Sequence, residues 1–137
     1  MVITMENLTE YAREQVKACK GFIEANNYEV IKVEPNYCEL EGIITNTSTN
    51  HLNIVHGGYI FGLADTAAGI AAMTDGRKAV TINSTIDYLN PGKGERLIAV
   101  AKCLKAGKNI SNFEVFIYDD KEILIAKSNI NYYYLDE

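Results

Sequence analysis

Val55-His56-Gly57-Gly58-Tyr59-Ile60-Phe61-Gly62-Leu63-Ala64-Asp65-Thr66-Ala67-Ala68-Gly69-Ile70-Ala71-Ala72-Met73 is the stretch that organises the rest of the chain. It opens on one of two histidines, followed directly by paired glycines. It then runs as a helix, expected over about 58–74, that stops at Asp75-Gly76, where glycine supplies the usual C-terminal stop. Apart from one carboxylate, Asp65, its residues are apolar or small on every side. A helix with no polar face is covered by the core on several sides. A carboxylate inside such a helix costs several kcal/mol unless something pairs with it or it does chemical work.

Working outward, the segments on either side read as cover for this helix. Met5, Leu8, Ala12, Val16, Cys19 and Ile23 share one stripe, which predicts an N-terminal helix over about 5–26, broken by Asn26-Asn27. Tyr28 to Glu34 and Tyr37 to Thr45 read as strands joined at Pro35-Asn36, followed by a polar loop from Asn46 to His51. Beyond the long helix, four strands follow in succession: Lys78 to Tyr88, Arg96 to Leu104, Ile110 to Tyr118 and Ile123 to Tyr134. Turns at Asn90-Pro91-Gly92, Ala106-Gly107-Lys108 and Asp119-Asp120 separate them. Consecutive hairpins require an antiparallel sheet. The expected architecture is therefore α+β: a sheet of about six strands curled around one central helix. The tyrosine run Tyr132-Tyr133-Tyr134 is most simply strand packing on both faces.

At 137 residues the chain is expected to form one domain, residues 1–137, large enough for a real core. A net charge of -5 with scattered lysines argues against nucleic acid or an anionic membrane as partner. The N-terminus lacks a basic region and an apolar core of signal-peptide length, and the apolar stretch from Ile54 to Met73 is interrupted by His56 and Asp65. Cys19, Cys38 and Cys103 are odd in number and far apart, which reads as free thiols in a reducing cytoplasm. Two histidines and three dispersed cysteines do not make a metal site. There is no G-x-S-x-G elbow, no G-x-G-x-x-G and no phosphate loop.

The chemistry concentrates at the start and middle of the central helix. Backbone N–H groups at Gly57 and Gly58 stand at the positive end of the helix, where they suit an oxyanion or a polarised carbonyl oxygen. The alternative is that the pair only permits a sharp entry into the helix. Asp65 is a candidate base or nucleophile, or else a buried aspartate bonded to a neighbouring loop. Eight residues of helix put Gly57 and Asp65 about 12 Å apart. Both cannot meet one carbonyl within a single subunit, so joint action requires at least a two-fold dimer with shared sites. His56 reads as a residue that orients the loop. Asn50 is placed to bond His56 or a ligand, and the Thr81 hydroxyl to hold a water beside Asp65, although spacing alone leaves both as solvated polar residues.

His56-Gly57-Gly58 followed by Leu63-Ala64-Asp65 resembles the signature of hotdog-fold acyl-CoA thioesterases of the PaaI-like, phenylacetate-pathway type. The segment from Thr81 to Pro91 is similar to the family's strand after the helix, and Ala106-Gly107-Lys108 to its small turn. The resemblance implies a hotdog fold, sheets joined edge to edge in a homodimer, and a dimer of dimers as the larger option. It further implies a catalytic and binding set of Asp65, Gly57, Gly58, Asn50, His56 and Thr81. In that set Gly57 donates to the thioester carbonyl, and Asp65 of the partner subunit is general base or nucleophile. Asn50 lies near the leaving thiol, His56 fixes the loop, and Thr81 positions water. A coenzyme A thioester is then the substrate, with no further cofactor; Arg77, Lys78, Lys105 and Lys108 are electrostatically suited to its phosphates. The competing reading is a non-catalytic acyl-CoA-binding or sensing module. A hydratase on the same fold would need a His–Asp pair, which the spacing does not supply.

Overall fold

A computed structural model describes residues 3–135. Helix α1 (Leu8–Ala18) and the short α2 (Phe22–Ala25) precede strands β1 (Tyr28–Glu34) and β2 (Tyr37–Ile43). A 3-10 turn (Asn46–Ser48) leads to α3 (Gly57–Ala72), which is followed by β3 (Ala79–Tyr88), β4 (Arg96–Ala106), β5 (Ile110–Asp119) and β6 (Leu124–Tyr134). All pairings are antiparallel, in one six-stranded sheet of order β1-β2-β4-β5-β6-β3. Bulges interrupt β1, β3, β4 and β6, adding local twist. Helix α3 packs chiefly on β2, β4 and β5 and also reaches β1, β3 and β6, as the expected curled sheet requires.

The central helix begins one residue earlier and ends two residues earlier than the sequence pattern suggests. Its alanines 64, 67, 68, 71 and 72 are fully buried, so the helix lies close on Leu40, Leu97, Phe113, Val115, Ile117 and Ile130. Gly62 allows the closest approach: a Cβ there would stand 2.6 Å from the Tyr28 hydroxyl and 3.0 Å from the Phe22 ring. Cover is not complete, however. Phe61, Asp65, Thr66 and Ile70 are only half-buried, in two i, i+4 pairs, Phe61–Asp65 and Thr66–Ile70, on different sides of α3.

The expected continuous N-terminal helix over 5–26 is broken. Cys19 is extended (φ -81, ψ 108), and Gly21 (φ -115, ψ -123) begins α2. Glycine is the weakest ordinary residue for a helix interior, and the break lets Phe22 turn onto Tyr28, 5.9 Å between ring centroids. Of the expected stripe, Leu8 and Ala12 are buried and Val16 and Ile23 partly so, whereas Met5 and Cys19 are exposed. Helix α1 also covers the outer edge of β1. Thr9 Oγ1 donates to the Val33 carbonyl and accepts the Val33 N–H, and Arg13 donates to the carbonyls of Val30 and Ile31. The opposite edge is β3, ten residues long, with Val80, Ile82 and Tyr88 exposed.

Candidate active site

The loop before α3 is held from beneath. Thr45 and Ser48 cap the 3-10 turn reciprocally, so this part of the expected polar loop is ordered by its own side chains. Buried Ser48 accepts the His56 N–H on its carbonyl at 2.8 Å. His56 then serves as N-cap, its Nδ1 accepting the Gly58 N–H at 2.8 Å. That bond occupies the Gly58 N–H, so Gly58 is not available as the donor that the sequence pattern suggested. The His56 carbonyl accepts from the N–H groups of Tyr59 and Ile60, pointing along the helix. In a trans peptide the next N–H points the other way, so the Gly57 N–H faces out from the helix N-terminus. Among the described residues it meets no acceptor.

A groove of about 360 Å³ opens at this point, lined among others by Asn50, Gly57, Ile60, Tyr88, Asn90 and Pro91. Asn50 Oδ1 accepts the Leu52 N–H at 2.8 Å rather than meeting His56, which leaves the amide nitrogen as the group that can face a ligand. The Tyr88 hydroxyl donates to the Gly57 carbonyl at 2.9 Å.

Asp65 does not line this groove. Its carboxylate lies beside β3 and β6, where Oδ1 accepts from Thr81 Oγ1 and from the Tyr132 hydroxyl, each at 2.7 Å. Tyr132 also lies 2.6 Å from the Asp65 backbone oxygen. Hydrogen bonds to a charged acceptor contribute about 1.5–3 kcal/mol each, enough to offset the cost of a half-buried carboxylate. Burial and then the Asp65 charge push the Tyr132 hydroxyl far above its ordinary range, so it stays protonated and donates. The chain thus brings Gly57, Asn50 and His56 together at one end of α3, and Asp65 and Thr81 together further along it.

Tyr132 is the member of the cluster that sequence reasoning missed. Tyr132 and Tyr134 are buried while Tyr133 is 41% exposed, so the run does face both ways. Yet the inward pair bonds to α3 as well as packing: Tyr134 donates to the Ala72 carbonyl at 2.9 Å. Strand parity marks which tyrosines point inward, but nothing in the spacing says that one of them meets a carboxylate. Arg77 is engaged structurally. Its guanidinium bonds Asp75 at 2.7 Å and the Lys108 carbonyl at 2.8 Å, and stacks 3.5 Å from the Tyr134 ring centroid. Those contacts hold the guanidinium against the β4–β5 turn and the Tyr134 ring.

One apolar helix wrapped by a six-stranded antiparallel sheet is the hotdog fold. The chain belongs to the thioesterase superfamily, whose family model matches residues 52–126. The acyl-coenzyme A thioesterase PaaI of Escherichia coli is 30% identical over 99 residues, 72% of this chain and 71% of its own. The solved structure of the E. coli PaaI protein shares the fold at a TM-score of 0.90 over 97% of each chain, with 22% identity. A hypothetical thioesterase protein from Streptococcus pneumoniae, solved with coenzyme A, is 27% identical at a TM-score of 0.77, covering 81% of this chain and 90% of its own. In two alanine variants of that protein the replaced aspartate and threonine stand 16 positions apart, the interval from Asp65 to Thr81 here.

Proposed function

We propose that this protein hydrolyses small to medium acyl- or aryl-CoA thioesters to the free acid and coenzyme A, at sites shared between two subunits. The observation that carries this reading is the division of labour along α3. The oxyanion donor and the carboxylate are about 12 Å apart on one helix, each equipped for half of one reaction. The thioester carbonyl oxygen accepts the outward Gly57 N–H. Asp65 of the partner subunit takes a proton from water as that water attacks, or attacks the carbonyl itself to give an anhydride that water then opens. In the first route the C–S bond breaks as the leaving thiolate takes the proton held by Asp65; in the second the thiolate leaves as the anhydride forms and is protonated when water opens the anhydride, regenerating the Asp65 carboxylate. In both, the Asn50 amide stands by the sulfur.

The edge strand supplies the route to assembly. β3 carries Thr81 near one end and Tyr88 at the other. Thr81 is bonded to Asp65 and Tyr88 to Gly57. A two-fold antiparallel pairing of β3 with a second β3 lays the Thr81 end of one against the Tyr88 end of the other, which carries Asp65 toward Gly57 of the partner subunit. A long edge with exposed Val80 and Ile82 is suited to such pairing. The exposed thiol of Cys19 fits the reducing cytoplasm.

The deciding experiment assays a panel of acyl- and aryl-CoA thioesters on the wild type and on Asp65→Asn. Turnover that falls by about 10³-fold or more in the variant, with assembly unchanged, supports the reading. Acyl-CoA binding without hydrolysis by the wild type would instead make the protein a binding module.

A further inference from the structure

We propose that Tyr132 is a positioning residue for the reaction, holding Oδ1 of Asp65 so that Oδ2 is the oxygen presented to water or substrate. This rests on the assignment of Asp65 as base or nucleophile. The Tyr132 oxygen lies 2.7 Å from Asp65 Oδ1 and 2.6 Å from the backbone oxygen of the same residue. The one hydroxyl proton is shared between these two oxygens, so the Tyr132 oxygen sits against both the carboxylate and the main chain of Asp65. Thr81 donates to the same Oδ1, so both hydroxyl donors gather on one oxygen and no hydrogen bond engages the other among the described residues.

The tyrosine can do this because it cannot move. It is 2% exposed, and its ring meets the fully buried Phe113 edge-on, 5.9 Å between centroids at 89°. Thr81, by contrast, sits on the exposed edge strand. Rigid support behind a reacting group is what keeps it in productive geometry, and a small misplacement costs large factors in rate.

The same strand carries its own control. Tyr134, two residues on, is equally inward and donates to the Ala72 carbonyl, where there is no carboxylate. If the tyrosines served only to tie the sheet to α3, loss of either hydroxyl would have the same consequences. If Tyr132 positions Asp65, only its loss alters the chemistry.

The test compares Tyr132→Phe, Tyr134→Phe and Asp65→Asn in thermal unfolding and in kcat and KM against pH on an acyl-CoA thioester. Tyr132→Phe is expected to lower kcat by about 10- to 100-fold with KM within about threefold. Tyr134→Phe is expected to lose stability with kcat and KM near wild type. As a second probe, 3,5-difluorotyrosine at position 132 keeps the ring and a donating hydroxyl, and should hold kcat within about threefold of wild type. Wild-type kcat in Tyr132→Phe, with Asp65→Asn inactive, overturns the positioning role alone. Full activity in Asp65→Asn overturns the assignment of Asp65 and this proposal with it.

Discussion

The Tyr88 hydroxyl donates to the Gly57 carbonyl at 2.9 Å, tying the far end of the edge strand to the first turn of α3 across 31 residues of chain. The bond holds the first peptide of the helix from the carbonyl side while its neighbour's N–H faces outward. That arrangement makes Gly57→Pro an informative change. Proline is well tolerated at the first helical position, and it requires its predecessor to be extended. His56 already sits at φ -64, ψ 136. A Cβ at position 57 would lie 3.3 Å from the Tyr88 ring, a contact that the half-exposed tyrosine can relieve. Gly57→Pro should therefore fold, while kcat falls by about 10²- to 10³-fold through loss of one oxyanion donor. Wild-type kcat in a folded Gly57→Pro protein would remove Gly57 from the reaction.

Mixing tests the shared site directly. Asp65→Asn and Gly57→Pro are each expected to be poor catalysts alone. In a heterodimer one of the two sites combines an intact Gly57 with an intact Asp65, so about a quarter of wild-type activity should return when the proteins are unfolded together and reassembled in equal amounts. Heterodimers that form, as shown by mass spectrometry, and yet stay inactive would place both groups in one subunit.

Much of this architecture could be read from residue patterns, and particular residues show where the reading stopped. Strand β5 alternates buried Phe113, Val115 and Ile117 with half-buried Asn112, Glu114 and Phe116, so its period of two survived folding intact. His56-Gly57-Gly58 marked the helix entry because capping is a local interaction. The break at Cys19 to Gly21 escaped notice because helical spacing continues across it: one glycine costs only about 1 kcal/mol in a helix, and packing of Phe22 on Tyr28 decides. The Tyr132–Asp65 bond spans 67 residues and depends on how β6 is registered against α3, which no local pattern encodes. The incomplete cover of Phe61, Asp65 and Ile70 was hidden for a different reason, since composition reports that a helix wants cover and not which of its residues stay half-buried.

The edge strand offers a separate test of assembly. Ile82 is 48% exposed on β3, and a lysine on an edge strand discourages pairing with another chain. Ile82→Lys should sediment as a monomer with unchanged far-ultraviolet circular dichroism and lose at least about 100-fold in activity, since each half-site is then alone. A fully active monomer would refute assembly through β3.

Arg77 separates stability from substrate binding. Its guanidinium joins the end of α3 to the β4–β5 turn and covers Tyr134, but its side chain is 40% exposed, so solvent weakens each contact. Arg77→Ala is expected to cost about 1–2 kcal/mol in urea unfolding, with KM for acyl-CoA within about twofold of wild type. A tenfold rise in KM at unchanged stability would restore Arg77 as a phosphate ligand.

Tyrosines make the fold sensitive to alkali. Burial pushes the Tyr59 hydroxyl up to about 12. Burial raises Tyr28 and Tyr132 as well, with Tyr59 adding to the first and the Asp65 charge to the second. All three are buried, and each hydroxyl proton faces acceptor oxygens: Tyr28 donates to the Tyr59 carbonyl, Tyr59 shares its proton between the Asn26 and Ile43 carbonyls, and Tyr132 shares its own between the carboxylate and carbonyl of Asp65. In the unfolded chain such groups ionise near pH 10. A folded-state value above the unfolded one gives stability that is fully present below about pH 10 and is lost as pH rises from there through the folded values. Phenolate absorbance and circular dichroism followed together should then show the exposed tyrosines titrating first and the buried ones only with the collapse of helix signal, in one cooperative step. Ionisation of every tyrosine near pH 10 with the dichroism unchanged would show that these hydroxyls are not held by α3 and the strands around it.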